Sequence, residues 1–434
     1  MEINVSAPIY NTVLSSAEAH MFPRTNHNPK VIAVRQGQVP DTRDLPYFFR
    51  LLLPVTARLL WGSVAITLPD ARRVEIAGAQ PGRHAELFIN DYRCLWRLLY
   101  TGDLGFAEGY LAREWDSPDL TAVLEVFARN ADGMRELYEG KWWAKIAGRL
   151  AHALNRNTRA GAKRNIHAHY DLGNAFYERW LDPSMTYSSA KFEAPGQSLS
   201  EAQRNKYESL ARRIGLKPEH ELLEIGCGWG GFAEYAAKDI GCRVTGITIS
   251  REQHDFAKAR LFKAGLAERT DIRLEDYRDT KGAFDRLASI EMFEAVGEEY
   301  WPAYFDKIRQ SLKPGGQAGL QVITIDERYF ASYRKSVDFI QKYVFPGGML
   351  PSMTALKDQV ARAGLSWRDN TTFGQDYADT LSLWRGRFLA AWDDIRAQGF
   401  DERFKRLWRY YLSYCEAGFR AGSVDVTQVA LTRP

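Results

Sequence analysis

The chain has 434 residues, of which 45 % are hydrophobic and 26 % charged, and this composition excludes a disordered or collagen-like protein. At roughly 150 residues per domain, the length favours two or three structural units. The net charge of +4 is too small for the basic surface that duplex binding requires, so no nucleic-acid partner is expected. Aromatic residues make up 13 % of the chain, which suits a large apolar site or an aromatic core.

Cysteine usage and hydropathy favour a cytoplasmic protein. The four cysteines are scattered without a CxxC pair, so neither a metal site nor a disulfide framework is expected. The N-terminus lacks the basic and apolar regions of a signal peptide. The most apolar window, residues 47–61, contains Arg50, Pro54 and Arg58 and is too short and too charged to span a bilayer.

Two segments open the chain. Residues 1–45 are polar and without periodicity, and we predict a flexible arm. Residues 46–130 are predicted to form a small mixed domain, with strands at 63–68 and 86–89 and a helix over 119–127.

The remaining chain divides into a connector and a larger domain. Residues 131–165 are basic, with Trp142 and Trp143 among them, and predict a helical connector. Such a helix either lies on an anionic lipid surface or only links the domains. Strands and helices alternate from 166 to 365, which predicts a mostly parallel sheet, and residues 366–434 are predicted to return to helix.

The strongest local signal is a glycine loop after a short apolar strand at 221–225. Gly226, Gly228 and Gly230 follow that strand directly, and a helix begins immediately after them. Glycine is needed where the backbone turns sharply and a ligand approaches it closely. A diphosphate loop has the different spacing GxGxxG, and Glu224 would repel phosphate but suits an ammonium or sulfonium group. The loop therefore favours S-adenosylmethionine over NAD.

Two further strand ends supply candidate residues for binding the donor. The strand over 242–250 ends in hydroxyl residues instead of the usual carboxylate, so Thr248 and Gln253 are predicted to contact the ribose. Asp276 and Tyr277 follow the next strand, and they either lie beside the adenine or belong to an ordinary charged loop.

Several motifs stand in a characteristic order around the glycine loop. They are residues 165–174, 181–190, 291–297, 342–351 and 373–377. Together with the loop they resemble the cyclopropane fatty acyl phospholipid synthases, and residues 46–130 are similar to the N-terminal domain of the longer bacterial members. The resemblance implies an α/β fold: a class I, Rossmann-like methyltransferase domain over 166–434 with a mostly parallel sheet and helices inserted over the active site, plus a smaller N-terminal α+β domain.

The resemblance also implies the ligands. S-adenosylmethionine is the methyl donor, and an unsaturated phospholipid acyl chain enters an aromatic-lined tunnel from the membrane surface. The enzyme is then expected to be a homodimer that is peripheral on the inner face of the cytoplasmic membrane. The residues implied to hold the donor are Tyr187, Ser188, Gly226, Gly228, Thr248, Gln253, Asp276 and Tyr277.

The catalytic residues both match and depart from the family pattern. In the family, a bound bicarbonate accepts a proton from the transferred methyl group as the ring closes. Glu294, Ile323 and Tyr377 match its bicarbonate-binding residues, but Ser189 replaces a cysteine and Gln321 a histidine. Serine and glutamine hydrogen-bond an anion but do not accept a proton near neutral pH. Bicarbonate binding is therefore doubtful, and we predict a C-methyltransferase that forms a methylene- or methyl-branched chain, with Glu294 as base or organiser of the anion network.

Three alternatives stay open. The first is a true cyclopropane synthase that tolerates Ser189 and Gln321. The second is a non-catalytic lipid-binding protein, which the intact glycine loop disfavours. The third is a methyltransferase for nucleic acids or small molecules, which the weak net charge disfavours.

Two aromatic groups have both a structural and a functional interpretation. Five aromatic residues are either cation-stabilising walls of the tunnel or plain core: Tyr187, Phe192, Tyr343, Phe345 and Tyr377. The run of arginines and aromatics from Trp384 to Tyr411 either grips a phospholipid head group or forms a buried aromatic stripe on a solvated helix.

Overall fold

The computed structural model describes residues 31–34, 58–133 and 172–434. We call the first two ranges the N-terminal unit and the third the C-terminal unit. Most of the predicted flexible arm and the basic connector, including both of its tryptophans, lie outside the described residues. Within the described part, no helix is both long enough and apolar enough to cross a membrane.

The N-terminal unit is a five-stranded sheet with three helices. Its elements are β1 (Val31–Val34), β2 (Trp61–Thr67), β3 (Arg73–Ala77), β4 (Gln80–Ile89), α1 (Arg93–Thr101), α2 (Asp103–Leu111), β5 (Trp115–Asp116) and α3 (Leu120–Arg129). The strand order is β1-β3-β2-β4-β5.

Period-two alternation explains why this sheet buries one face. In β3, Val74 and Ile76 are buried while the residues beside them are not, so one face packs on the core. The predicted strands and helix are confirmed, and the Asp119 side chain caps α3 by accepting a hydrogen bond from the Ala122 amide at 2.9 Å. The prediction of a flexible arm is wrong for residues 31–34, because β1 pairs in parallel with β3.

The C-terminal unit contains a seven-stranded sheet. Its first half comprises α4 (Asn174–Tyr177), α5 (Leu199–Arg213), β6 (Glu221–Ile225), α6 (Gly231–Tyr235), β7 (Arg243–Thr248), α7 (Arg251–Lys263), β8 (Thr270–Leu274), β9 (Phe284–Ile290) and α8 (Trp301–Ser311). Its second half comprises β10 (Leu312–Ile325), α9 (Glu327–Tyr333), α10 (Phe339–Tyr343), α11 (Met353–Arg362), β11 (Ser366–Thr372), α12 (Gly374–Ala390), α13 (Trp392–Ala397), α14 (Glu402–Ala421) and β12 (Val424–Thr432).

The strand order of this sheet is β11-β12-β10-β9-β6-β7-β8. The five strands from β10 to β8 are parallel, which confirms the prediction of a mostly parallel class I sheet. The prediction that residues 366–434 return to helix is incomplete, because β11 and β12 lie in this range and pair antiparallel. β11 is polar and exposed at the sheet edge, so it has no apolar alternation to reveal it.

The arginine- and aromatic-rich C-terminal run packs on the N-terminal unit. Arg406 Nη1 lies 2.7 Å from Asp116 Oδ2, and Arg409 donates to the Ser117 carbonyl at 3.2 Å. The Tyr110 and Tyr410 rings, both buried, lie 5.5 Å apart across the same contact. These arginines therefore join the two units, and the interpretation of the run as a head-group grip is wrong for them.

Candidate active site

A cavity of about 1400 Å³ lies between the two units and reaches the carboxyl ends of the parallel strands. This edge of an open α/β sheet is where such folds bind ligands. One end is lined by the glycine loop, and the other by apolar side chains of the N-terminal unit such as Leu98, Phe106 and Leu124. Its volume exceeds the roughly 300–1,000 Å³ of an ordinary ligand site, so it has room for more than one ligand.

The glycine loop forms the turn from β6 to α6. Gly226, Gly228 and Gly230 all adopt left-handed backbone angles, with φ of 80°, 52° and 81°. A Cβ atom on Gly226 would lie 2.8 Å from Met292 Cγ, and one on Gly230 would lie 3.1 Å from Ala257 Cβ. At Gly226 and Gly230 a side chain is disfavoured both by conformation and by space, and at Gly228, where no atom lies within 4 Å of the Cβ position, by conformation alone.

Glu224 places an unsatisfied carboxylate oxygen at the loop. The residue is buried in β6 and lines the cavity, and its Oε2 atom has no hydrogen-bond partner among the described residues. Burial raises the pKa of Glu224 well above its ordinary value, and the positive charge of Lys206 acts in the opposite direction. A buried acceptor facing a cavity fits the ammonium group of an amino-acid ligand. The residues present thus fit S-adenosylmethionine.

The other predicted donor-binding side chains stand on neighbouring strand ends of the same cavity. Thr248 Oγ1, at the end of β7, donates to Gln253 Oε1 at 2.8 Å. Asp276 follows β8 and accepts a hydrogen bond from Arg278 Nε at 2.9 Å, and Tyr277 is adjacent to it. All four predicted residues line the cavity, and their individual roles stay predictions.

Tyr187 and Ser188, which follow α4 in the chain, also line the cavity. The Tyr187 hydroxyl lies 2.7 Å from the Tyr411 hydroxyl, and its ring centre is 5.3 Å from that of Trp384. Ser188 Oγ accepts a hydrogen bond from Lys206 Nζ at 2.5 Å. This wall is therefore aromatic with a small polar centre.

Glu291 is the most constrained acid in the cavity. It directly follows β9 with a left-handed backbone φ of 49°, which is uncommon for a residue other than glycine. Three donors hold its carboxylate: the Ser189 amide at 2.8 Å and Gln321 Nε2 at 2.7 Å on Oε1, and the Tyr377 hydroxyl at 2.6 Å on Oε2. Burial raises the pKa of Glu291, whereas the positive charge of Lys206 lowers it.

Ser189 and Gln321 lie behind this carboxylate. Both are fully buried and neither lines the cavity, whereas Glu291 does. The two residues that depart from the family pattern therefore contact a carboxylate of the protein itself.

Glu294 is a second acid one turn away on the same wall. The Ile323 amide donates to its Oε1 at 2.5 Å, and its Oε2 has no hydrogen-bond partner in the described part of the chain. Burial raises the pKa of Glu294 to about 8, and the negative charge of Glu291 adds to the effect. Near neutral pH, Glu294 is therefore largely a neutral acid, while Glu291 has the donors that suit an anion.

The sequence of the C-terminal unit matches a known family. The family model described as mycolic acid cyclopropane synthetase matches residues 157–429. The chain belongs to this family. It is an S-adenosylmethionine-dependent methyltransferase, as the motifs predicted.

Individual relatives support the assignment. Tuberculostearic acid methyltransferase UfaA1 of Mycobacterium tuberculosis is 40 % identical over 367 residues, which cover 82 % of this chain and 85 % of the relative. The cyclopropane-fatty-acyl-phospholipid synthase of Escherichia coli is 36 % identical over 374 residues, covering 86 % and 94 %. The solved structure of mycolic acid cyclopropane synthase CmaA1 with SAH and CTAB has a TM-score of 0.58 at 30 % identity, covering 62 % of this chain and 98 % of that one.

Two of the predicted aromatic wall residues of this methyltransferase lie elsewhere. Tyr187, Phe345 and Tyr377 line the cavity, but Phe192 and Tyr343 do not. The Tyr343 hydroxyl instead donates to Glu108 Oε1 at 2.9 Å, because α10 packs beside α2 of the N-terminal unit.

Sequence reasoning gave Glu291 no role. One signal was present: an acid directly after the apolar strand 284–290 and three residues before Glu294, so that both acids fall on one turn. The donors that identify it, Ser189, Gln321 and Tyr377, are each 30 or more residues away in the chain.

Proposed function

We propose that this enzyme transfers a methyl group from S-adenosylmethionine to a carbon–carbon double bond in an unsaturated acyl chain of a membrane phospholipid. The proton released in the reaction passes to Glu291. The product is a methylene-branched chain, or a methyl-branched chain that keeps one double bond.

The single observation that carries this proposal is the three-donor grip on the Glu291 carboxylate. The resemblance assigns the positions of Ser189, Gln321 and Tyr377 to binding of a bicarbonate base. Here all three contact Glu291, which lines the cavity. The proton acceptor that other members recruit from solution is then part of this chain.

The reaction balances with the residues in the cavity. The bound donor supplies an electrophilic methyl group on sulfur. The π electrons of the alkene form the new carbon–carbon bond, the carbon–sulfur bond breaks with its electrons left on sulfur, and positive charge appears on the acyl chain. For a methylene product, a hydride shifts from the methylated carbon to the neighbouring cationic carbon, and the new methyl group then loses a proton to Glu291, its bonding pair forming the methylene double bond. If the proton leaves a carbon of the acyl chain next to the cation instead, its bonding pair forms a chain double bond and the product is a methyl-branched alkene. Aromatic faces at Tyr187 and Phe345 stabilise the cation by about 0.5–2 kcal/mol each.

The substrate enters, on this proposal, from a membrane surface that the protein contacts peripherally on the cytoplasmic side. The apolar end of the cavity is formed by α1–α3 of the N-terminal unit, which supports acyl-chain binding there. On α1, Trp96 and Tyr100 are 40 % and 52 % exposed, with Arg93 and Arg97 on the same helix. The exposed aromatic side chains favour a membrane interface, whereas Arg93 and Arg97 form ion pairs with Asp91 and Glu114 within the protein. On this proposal the domain over 46–130 also associates with lipid, and the homodimer stays a prediction.

A cyclopropane product is the second candidate. The Escherichia coli relative named a cyclopropane synthase matches over 94 % of its length, so the two chains share the N-terminal unit as well as the catalytic domain. The relative named a methyltransferase shares the higher identity, 40 % against 36 %, and supports the branched product.

Product analysis tests the proposal. The purified enzyme is incubated with vesicles of monounsaturated phospholipid and a donor with a trideuterated methyl group, and the acyl chains are examined by mass spectrometry and proton NMR. We expect a methylene or methyl branch that carries the label, and no product with Glu291→Gln. A cyclopropane as the sole product contradicts the branched-chain assignment, and full activity of Glu291→Gln contradicts the role of this residue.

A further inference from the structure

Lys206 is fully buried on α5, behind the cavity wall. Among the residues that the structure describes, it is the only buried lysine or arginine. Its ammonium group donates to Ser188 Oγ at 2.5 Å and lies 4.8 Å from the centre of the Tyr207 ring. A buried charge is costly unless neighbouring groups compensate it, so the groups around this lysine indicate its role.

One short connection leads from Lys206 to Glu291 through two adjacent serines. Ser188 accepts the lysine hydrogen bond, and the amide of Ser189 donates to Glu291 Oε1 at 2.8 Å. The lysine therefore fixes the segment that presents a backbone donor to the carboxylate.

A second connection runs through two glutamines. Gln428 Nε2 donates to the Lys206 carbonyl and to Gln321 Oε1, at 3.1 Å each. Gln321 Nε2 in turn donates to Glu291 Oε1 at 2.7 Å. The side-chain amide of Gln428 thus connects the backbone of α5 to Gln321, which donates to Glu291.

The charged groups around Glu291 come from three directions. Lys206 faces it from α5, Tyr377 from α12, and Glu294 from the next turn of its own segment. Burial raises the pKa of Glu291, and the positive charge of Lys206 is the largest influence that lowers it, ahead of the hydrogen bonds. The negative charge of Glu291 in turn raises the pKa of Glu294.

The same balance holds around Lys206 itself. Burial lowers the pKa of the lysine, and the negative charges of Glu291, Asp182 and Glu224 raise it, in that order. Glu224 belongs to the donor site and Asp182 to the loop before Tyr187, so Glu291 is the acid of the proton-transfer site that this lysine compensates.

We propose that Lys206 is a positioning residue that keeps the Glu291 carboxylate ionised, and so able to accept a proton, between turnovers. This inference rests on the proposed function of Glu291. Without a nearby positive charge, a carboxylate in a cavity shielded from water takes up a proton near neutral pH and can accept no other.

The test is the pH profile of kcat/KM for Lys206→Met and Lys206→Gln. Both variants remove the charge, and Gln retains a donor for Ser188. We expect the acidic limb to move to higher pH by about one unit or more in both, while activity at the alkaline end approaches that of the wild type. Lys206→Arg is expected to return the limb toward its original position. The matched control is Arg204→Met, which deletes an exposed charge from the same helix and leaves the limb in place.

Several outcomes overturn the inference. One is an equal loss of activity at every pH with an unshifted limb, in variants that melt normally and still bind S-adenosylhomocysteine, because a purely structural role predicts that pattern. Another is a limb that moves equally in Arg204→Met. The two proposals fail separately: an active Glu291→Gln removes the proposed function, whereas an inactive Glu291→Gln with unshifted Lys206 variants removes only this inference.

Discussion

The Tyr377 hydroxyl donates a hydrogen bond of 2.6 Å to Glu291 Oε2, joining two residues that are 86 positions apart in the chain. Both line the cavity, so this contact is part of the cavity wall. A short bond of this kind to a carboxylate stabilises its charged form.

Removing this hydroxyl should slow turnover. In Tyr377→Phe, Glu291 loses a charge-assisted hydrogen bond of about 1.5–3 kcal/mol, so we expect kcat to fall about 10–100-fold with unchanged affinity for S-adenosylhomocysteine. The control is Tyr343→Phe, which removes a hydroxyl bonded to Glu108 outside the cavity lining. Equal kcat values for the two variants would contradict the role of Tyr377.

The left-handed backbone of Glu291 permits a rescue experiment. Glu291→Gly relieves the unfavourable φ and leaves Ser189, Gln321 and Tyr377 without their acceptor. We expect this variant to be inactive alone and to regain part of its activity when bicarbonate is added. Turnover in carefully degassed, bicarbonate-free buffer would show that no acceptor is needed at this place.

Glu224 should matter for binding and little for folding. Glu224→Gln keeps the shape of the side chain and removes a carboxylate whose Oε2 has no hydrogen-bond partner in the described structure, so within the chain only its charge interaction with Lys206 is lost. We expect donor affinity, measured by calorimetry, to weaken about 10–100-fold. Glu221→Gln, at the exposed start of the same strand, should bind as the wild type does.

The raised pKa of Glu294 predicts how the free energy of unfolding depends on pH. Its pKa is about 8 in the folded chain against an ordinary 4.5, so between these values the folded state holds a proton that the unfolded state has released. Stability is therefore highest below about pH 4.5 for this group and falls as pH rises toward 8, by roughly 2–5 kcal/mol in total. Melting curves from pH 5 to 8 should show a smaller decline in Glu294→Gln than in the wild type. Parallel declines would rule out this assignment.

The apolar end of the cavity can be narrowed without changing the S-adenosylmethionine site. Leu124 is buried on α3 and lines that end, so Leu124→Phe is expected to raise KM for the phospholipid about 5–50-fold through overpacking. S-adenosylhomocysteine binding should be unchanged. A variant with a wild-type KM would mean that the acyl chain does not reach the N-terminal unit.

What the sequence reveals about this site depends on how local the signal is. The glycine loop, Glu224 and the cap at Asp119 are set by neighbours within a few residues, and the structure places them as expected. The grip on Glu291 combines β9, β10, α12 and the loop at Ser189, and no single window contains it. Strand β11 was not predicted for a related reason. Its sequence is polar, and it is a strand because it pairs with β12.

The position of β12 has a consequence for biosynthesis. This strand, which carries Gln428, inserts between β10 and β11, although it is made after both. While the ribosome is still adding residues 424–432, a nascent chain can already have the donor loop but lacks the amide that links α5 to Gln321. Domains fold largely as units during translation, so the glycine loop and the hydrogen bonds to Glu291 are completed together, after this strand has been made. Catalytic competence thus depends on this late strand, whose first residue, Val424, also lines the cavity.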